Sequence, residues 1–198
     1  MPNISGSVET EFIWPTLLGE HVLPFRNQDP DLFVVPLTSQ GTLLSGEHQR
    51  IDAYPGLADW TRRTEEIWRT RSTGKMTLTE QIDHMSKLTQ QVPPPQLRVV
   101  YAKAGMHVSA AVVTNPRVII DHTLYWSAVA TLAEGRFLMG ILNAPVLTAL
   151  VRPLMSYGKD ERHIDKHVWK LPIPTFDPGI CQDGGSSDSP VGVLRVPG

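Results

Sequence analysis

The sequence is poor in cysteine, since Cys181 is the single one among 198 residues. One cysteine cannot form an internal disulfide or supply the paired thiolates of a structural zinc site. The sequence also lacks any apolar run near the roughly 18 residues that a membrane-spanning helix needs, and it lacks the basic-then-apolar start of a signal peptide. These absences argue against redox chemistry and a zinc ribbon, and they predict a cytoplasmic protein without a membrane partner.

An excess of positive charge is missing as well. The 18 Lys and Arg stand against 20 Asp and Glu, which gives a formal net charge of −2. Neutralisation of phosphates supplies much of the affinity of DNA-binding proteins, so this composition argues mildly against autonomous binding. The cations do cluster, in residues 62–75 and 159–170, but acidic residues interleave with them. Solvated helix faces explain both segments more simply than phosphate contacts do.

Signatures of catalysis are also absent. No Gly-x-Ser-x-Gly elbow surrounds a serine, and no glycine-rich phosphate loop opens a helix. A triad assembled from Asp121, His122, His107 and Ser109 is explained more simply by polar residues of strands. Cys181 lies at the edge of a tail-like segment, without the electropositive setting of a reactive thiol. We therefore predict no catalytic centre in this chain.

A histidine cluster near residue 165 is the most suggestive local pattern. Two histidines four positions apart on a helix, here His163 and His167, can face one metal ion, and Asp165 could complete the site. However, there is no His-Glu-x-x-His signature, and Lys166 adds positive charge beside the supposed metal. We favour surface or phosphate-facing histidines and predict no metal site; a small metal-dependent hydrolase remains the third hypothesis.

Hydrophobic periodicity predicts an α+β fold with a mixed, mainly antiparallel sheet. Strand-like patterns cover residues 32–37, 97–101, 107–113 and 117–126, and the last three are expected to be antiparallel neighbours. Residues 11–25 form an apolar run interrupted by proline, which predicts a turn or an edge strand. Helices are expected at 133–143 and 145–155, packed on the sheet, with Pro153 as a kink or stop.

A helical hairpin is predicted as an insertion at about residues 56–91. Apolar residues at helical spacing over 56–72 predict its first helix. A capping box formed by Thr77 and Glu80 opens the second, whose apolar face consists of Leu78, Ile82, Met85 and Leu88. We expect one domain over residues 9–178, followed by a flexible tail at 179–198 that is rich in Gly and Ser.

Five segments carry more information through their order than any one carries alone. They are residues 18–25 (LGEHVLPF), 99–113 (beginning VVYAKAG), 121–126 (DHTLYW), 137–144 (FLMGILNA) and 165–174 (DKHVWKLPIP). This series resembles the C-terminal target-recognition region of Taq-type adenine-amino DNA methyltransferases, and it covers roughly residues 9–178. The resemblance implies a recognition domain that docks on double-stranded DNA beside a catalytic domain.

The catalytic half of that family has no counterpart here. It binds S-adenosylmethionine and positions a flipped adenine with an Asn-Pro-Pro-Tyr-like tetrapeptide. In this chain Asn115-Pro116 lacks the second proline and the aromatic residue, and Asn143 is followed by Ala144. Base chemistry needs a methyl donor beside the extruded base, so S-adenosylmethionine is expected only in an associated methyltransferase domain or subunit. The chain would be a fragment of a larger enzyme or a separate specificity subunit.

The leading hypothesis is therefore a DNA target-recognition module of a bacterial DNA methyltransferase or restriction-modification system that serves phage defence. Basic segments would approach phosphates while polar side chains on adjoining loops read base edges. The candidate DNA contacts are Lys103, His107, Arg162 and Lys166. The alternative is a protein-interaction or assembly domain of such a system without direct DNA contact, as the near-neutral charge and the apolar helices around Phe137 and Leu147 suggest.

Overall fold

Runs of short strands, mainly antiparallel, are followed by runs of helices along the chain, which confirms the predicted α+β class. The structure is a computed structural model that describes residues 4–155 and 164–179. The strands within these residues are β1 (Ile13–Leu17), β2 (Val22–Leu23), β3 (Arg26–Asn27), β4 (Asp31–Val34), β5 (Arg98–Ala102), β6 (Ala110–Val113), β7 (Ile119–Ile120) and β8 (Leu124–Ala128). The helices are α1 (Pro55–Arg71), α2 (Leu78–Ile82), α3 (Leu132–Leu142) and α4 (Pro145–Val151).

The chain divides into two compact units, of which the first comprises Met1–Thr16, Pro30–Pro95 and Arg117–Ile119. Its sheet has the strand order β4-β1-β7, with Trp14 of β1 opposite Phe33 of β4. The expectation that residues 11–25 form a turn or an edge strand is therefore wrong for β1, which is central. Proline is tolerated inside β1 because β7 has only two residues and cannot pair along the whole strand.

The long helix α1 confirms the first predicted helix and begins one residue earlier, at Pro55. Proline suits this position, because the first N–H groups of a helix have no partner within it. Its buried residues Leu57 and Ala58 pack with Phe12, and the Phe12 and Tyr54 rings meet edge to face at 4.7 Å between centroids. The apolar face of α1 thereby closes a core of the first unit.

The predicted second helix of the hairpin is wrong beyond Ile82. Its capping box is confirmed, since Thr77 Oγ1 accepts from the N–H of Glu80 at 3.2 Å and Glu80 Oε2 accepts from that of Thr77 at 2.8 Å. The helix then stops, because Asp83 Oδ1 accepts from the N–H of Leu88 at 2.9 Å and the chain turns through left-handed φ values, such as 59° at Met85. A helical hairpin is therefore not clearly formed.

The second unit comprises Leu17–Asp29, Gln96–Pro116 and Ile120–Gly198. Its three-stranded sheet has the order β6-β5-β8, and Tyr101 of β5 lies opposite Ala110 of β6 and Tyr125 of β8. The three predicted antiparallel neighbours are confirmed, but residues 117–126 do not form one strand. They divide into β7 and β8, because the Asp121 side chain accepts the N–H of Thr123 at 2.9 Å and turns the chain.

Helices α3 and α4 complete the core of the second unit. The side chain of Thr131 caps α3 by accepting the N–H of Glu134 at 3.1 Å, and α3 packs against β5 and β6. Pro153 lies in a 3-10 helix that replaces the end of the second predicted helix, so the expected stop is confirmed. The buried core consists of Val99, Tyr101, Val108, Ala110, Leu138, Leu142, Leu147, Val151, Met155, Ile164, Val168 and Ile173.

Within residues 4–155 and 164–179, no single helix is long and apolar enough to cross a membrane. The helices Leu132–Leu142 and Pro145–Leu154, whose axes bend by 59° at the break between them, are together long and apolar enough by length and composition alone.

Candidate nucleic-acid interface

The turn between β7 and β8, residues Asp121 to Thr123, is held by its own side chains. Asp121 Oδ1 accepts from the N–H of Thr123 at 2.9 Å and from its hydroxyl at 2.6 Å, while Oδ2 lies 2.9 Å from His122 Nδ1. Burial raises the pKa of Asp121, but the hydrogen bonds from Thr123 and His122 outweigh it and hold the pKa below its ordinary value. Asp121 is therefore an ionised, acceptor-only group at neutral pH, and it gives the turn a defined shape.

His122 combines a fixed ring nitrogen with an open surface. Its side chain is 75% exposed, whereas that of Asp121 is 23% exposed. Because an ionised carboxylate can only accept, Nδ1 of His122 carries the proton in their contact. In the neutral imidazole, Nε2 is then an acceptor without a proton. When the ring is neutral, the turn thus presents an exposed imidazole with its proton on Nδ1.

Lys103, one of the four predicted DNA contacts, follows β5 and braces the same turn. Its ammonium donates to the backbone oxygen of His122 and lies 4.8 Å from the centre of the Tyr125 ring. Its backbone N–H donates to the Thr123 oxygen at 3.0 Å, and its own carbonyl accepts from Ile164 at 2.8 Å. Lys103 therefore has a structural task at the turn, and its contact with DNA stays a prediction.

Residues 18–25, the first of the five segments, contact the same turn. Gly19 donates its N–H to Thr123 Oγ1 at 3.0 Å, and a Cβ at Gly19 would lie only 3.1 Å from that oxygen. Asp121 also donates its N–H to the Leu17 oxygen at 3.0 Å. Parts of residues 18–25, 99–113 and 121–126, which lie far apart in the sequence, therefore meet at the Asp121–Thr123 turn.

The other predicted contacts are not shown at this turn. His107 is exposed in the loop between β5 and β6. Lys166 belongs to the 3-10 helix Asp165–Lys170, but its side chain lies outside the described part of the structure, as does the whole of Arg162. Lys103 is thus the one predicted contact that the described residues bring to the turn.

The basic segment 62–75 lies mainly on α1, where three arginines already pair with carboxylates. These pairs are Arg62–Asp52 at 2.7 Å, Arg63–Asp59 at 3.0 Å and Arg69–Glu66. The side chains of Arg71 and Lys75 are exposed, and the ion pairs seen among the described residues of this segment do not include them. Surface ion pairs contribute little free energy, so the three paired arginines can exchange their carboxylates for phosphates almost as readily as Arg71 and Lys75 can bind them. A phosphate-facing role for this segment stays a prediction.

A half-open cavity of about 570 Å³ lies in the first unit, between the end of α1 and the residues leading into α2. Carboxylates of Glu47, Glu65 and Glu80 line it together with the cations of Arg69 and Lys75. The two signs of charge oppose each other, so the cavity offers no clear preference for an anion such as phosphate.

Two aromatic side chains that could stack on bases, Tyr101 and Trp14, are buried within the fold. Tyr101 is buried, stacks on Tyr125 at 5.3 Å between ring centroids and meets Trp169 edge to face at 5.7 Å. Trp14 is buried beneath the guanidinium of Arg117, which lies 5.2 Å from its ring centroid. Tyr101 and Trp14 therefore belong to the core and are not available to stack on bases.

No three His, Cys, Asp or Glu side chains come together as a metal site in the described parts of the chain. His163 and Cys181 lie outside those parts, and so does the side chain of Asp165. His167 Nδ1 lies 3.2 Å from the Lys170 ammonium. The hypothesis of a metal-dependent hydrolase therefore stays untested, because His163 and the side chain of Asp165 lie outside the described residues.

Sequence reasoning weighed Asp121 and His122 as chemical groups only within a hydrolytic triad and set them aside as polar residues of a strand, so it did not predict the turn that they form. A local signal was present, since Asp followed two positions later by a residue with a free N–H is typical of an Asx turn. The pair also opens the segment 121–126, which carries part of the resemblance to target-recognition regions.

None of the protein-family models and none of the curated proteins compared with the chain matches it. The resemblance to target-recognition regions therefore stays a prediction from the five segments.

Proposed function

We propose that this chain is a DNA target-recognition module of a bacterial DNA methyltransferase or restriction-modification system, without a catalytic centre of its own. One observation carries the proposal: parts of three segments of the resemblance, residues 18–25, 99–113 and 121–126, meet at the Asp121–Thr123 turn. Function has to be argued from a site and not from a fold. If the segments form one recognition surface, they must lie close together in the structure, and these three do.

Double-stranded DNA is the proposed partner, and the roles of the residues follow from its chemistry. Phosphate contacts position a protein on the duplex, whereas contacts to base edges specify the sequence. Lys103, Arg162 and Lys166 are the proposed phosphate contacts, and His107 lies on an adjoining exposed loop. Because the net charge is −2, a methyltransferase domain or subunit that binds S-adenosylmethionine would supply further positive field.

The proposal is tested by binding of the 198-residue chain to random-sequence duplex DNA across a salt series. The measurement is repeated with a neighbouring adenine-amino methyltransferase domain in the mixture. We expect salt-dependent binding and enrichment of particular sequences. Absence of binding in both settings would contradict the proposal.

The second candidate is a protein-interaction or assembly domain, and one surface favours it. Val146, Leu150 and Leu154 recur at intervals of four along α4 and the 3-10 helix after it, with exposed fractions of 64%, 54% and 44%. Contiguous exposed apolar side chains often mark protein contacts. A complex with a methyltransferase that Leu150→Glu abolishes, and that leaves the DNA footprint and sequence preference of the enzyme unchanged, would favour this candidate over DNA recognition.

A further inference from the structure

The exposed imidazole of His122 makes a hydrogen bond through one ring nitrogen, and further contacts hold the turn that carries it. Asp121 fixes Nδ1, and the Lys103 ammonium fixes the backbone oxygen of His122. The neighbouring Thr123 is held by the Gly19 N–H at 3.0 Å and by Asp121. A ligand that meets such a ring does not have to immobilise it first, which lowers the entropic cost of binding.

The contact between Asp121 and His122 is not needed to form the turn. The two hydrogen bonds from Thr123 to Asp121 Oδ1 already close it. The bond at Oδ2 acts on the ring alone, because it sets the orientation of the ring and the position of its proton. This arrangement resembles the way that a carboxylate orients a working histidine in metal and catalytic sites.

The fixed tautomer determines which groups on DNA the ring can bind. Nε2 of the neutral ring accepts a hydrogen bond, so its partner must be a donor. Phosphate oxygens, together with N7 and O6 of guanine, are acceptors and do not fit Nε2 of the neutral ring. The major groove offers two donors, the N6 amino group of adenine and the N4 amino group of cytosine.

We propose that His122 is a base-reading residue whose Nε2 accepts a hydrogen bond from the exocyclic amino group of adenine or cytosine in the major groove. Asp121 is the positioning residue that keeps the proton on Nδ1. This inference rests on the proposed function and deepens it, because it names the group on DNA that one side chain recognises.

The test begins with selection of preferred duplexes from a random pool by the full chain. Each adenine of the selected site is then replaced in turn by purine, and each cytosine by 2-pyrimidinone, so that single amino groups are deleted. We expect one deletion to weaken binding of the wild-type chain about three- to tenfold, as the loss of one hydrogen bond does. The His122→Ala chain should bind the intact site with a similar loss and be insensitive to that deletion.

Matched variants separate contact from positioning. His84→Ala removes another exposed histidine, from the first unit, and should retain the wild-type sensitivity. Asp121→Asn should reduce the sensitivity to the amino group without changing the salt slope. Should His122→Ala lower the melting temperature, His122→Gln carries the comparison, since its amide oxygen restores an acceptor and part of the sensitivity.

Each remaining outcome decides against the inference. A uniform loss of affinity in His122→Ala, with a smaller salt slope, identifies a phosphate contact instead. Unchanged binding of His122→Ala, or binding of the wild type without sequence preference, overturns the base-reading role but leaves DNA binding intact. If the wild-type chain fails to bind DNA alone and with the methyltransferase domain, the proposed function fails first and takes this inference with it.

Discussion

At the scale of the residue, Arg98 carries a buried charge at the start of the central strand β5. Arg98 is 1% exposed, and its Nη2 donates to the backbone oxygens of Asn115 and Pro116, at 3.0 and 3.4 Å. Its Nε and Nη1 have no hydrogen-bond partner among residues 4–155 and 164–179. Burial lowers the pKa of Arg98 to about 10. A desolvated cation without a paired carboxylate costs free energy of folding.

We predict that Arg98→Met raises the free energy of unfolding by about 1–2 kcal/mol, because it removes the buried charge and keeps an unbranched apolar side chain. Asn115 is an exposed residue, so its backbone oxygen can accept from water once the guanidinium is gone. Arg98→Lys keeps the charge but loses the reach of the guanidinium, and it should lower the stability. Urea denaturation of the three proteins checks this, and a less stable Arg98→Met would contradict it.

A second residue-scale prediction concerns Asp121 and acid. Its folded-state pKa lies below the ordinary value of 3.8, so the ionised carboxylate adds stability above that pH. That stability is lost as the pH falls through the folded-state pKa. Asp121→Ala should lower the free energy of unfolding at neutral pH by about 1–3 kcal/mol, since Thr123 loses a charged acceptor. It should also flatten the acid limb of the stability curve.

Urea unfolding between about pH 2 and about pH 7 measures both effects of Asp121→Ala. Asp29→Ala, at an exposed position of the same unit, is the matched control. Equal acid limbs for Asp121→Ala and the wild type would show that the carboxylate does not stabilise the fold.

At the scale of the element, α1 is capped by a residue that lies outside it. Tyr54 precedes the helix and provides no side-chain cap, whereas Glu9 accepts from the N–H groups of Gly56 and Leu57 at 2.9 and 2.8 Å. Partial burial raises the pKa of Glu9. The backbone hydrogen bonds from Glu9 itself, Gly56 and Leu57 outweigh that effect, so the pKa lies below its ordinary value. A carboxylate at a helix N-terminus also interacts favourably with the helix dipole.

We predict that Glu9→Ala lowers the free energy of unfolding by about 1 kcal/mol, the usual cost of losing an N-cap. Glu9→Gln should lose less, because the amide oxygen still accepts but no longer carries charge. Thermal unfolding at neutral pH measures the effect, with the exposed Glu11→Ala as control. Equal destabilisation by Glu11→Ala and Glu9→Ala would contradict the cap.

At the same scale, α2 shows how far local sequence signals extend. The capping box of Thr77 and Glu80 could be predicted because both residues lie within one helical turn. The length of the helix could not, because the side chain of Asp83 captures the N–H groups of Leu88 and Thr89, and Met85 adopts a left-handed conformation. Periodicity of apolar residues does not register such competing hydrogen bonds.

At the scale of the whole molecule, the small net charge limits electrostatic binding to DNA. If Lys103, Arg162 and Lys166 each neutralise one phosphate, the logarithm of the binding constant should fall with the logarithm of salt concentration with a slope of about −3. The double variant Arg162→Ala/Lys166→Ala should then lower the magnitude of the slope by about two. Fluorescence anisotropy with a random duplex measures both slopes.

The control for that double variant removes the same charge elsewhere. Arg50→Ala/Arg136→Ala replaces two exposed arginines outside both basic segments. It should leave the slope within error of the wild-type value. Equal losses in the two double variants would indicate a diffuse charge effect, and an unchanged slope in Arg162→Ala/Lys166→Ala would remove those residues from the interface.

The sequence by itself determined α1, α3, the capping box at Thr77 and the strands β5 and β6, because the signals for these elements lie within a few neighbouring residues. Only the tertiary structure decided that Glu9 caps a helix by accepting from Gly56, 47 positions away, and that β1 is a central strand. It also decided that Gly19 and Lys103 donate hydrogen bonds to the Asp121–Thr123 turn. These features depend on contacts between residues far apart in the chain, and such contacts leave no periodic pattern along it.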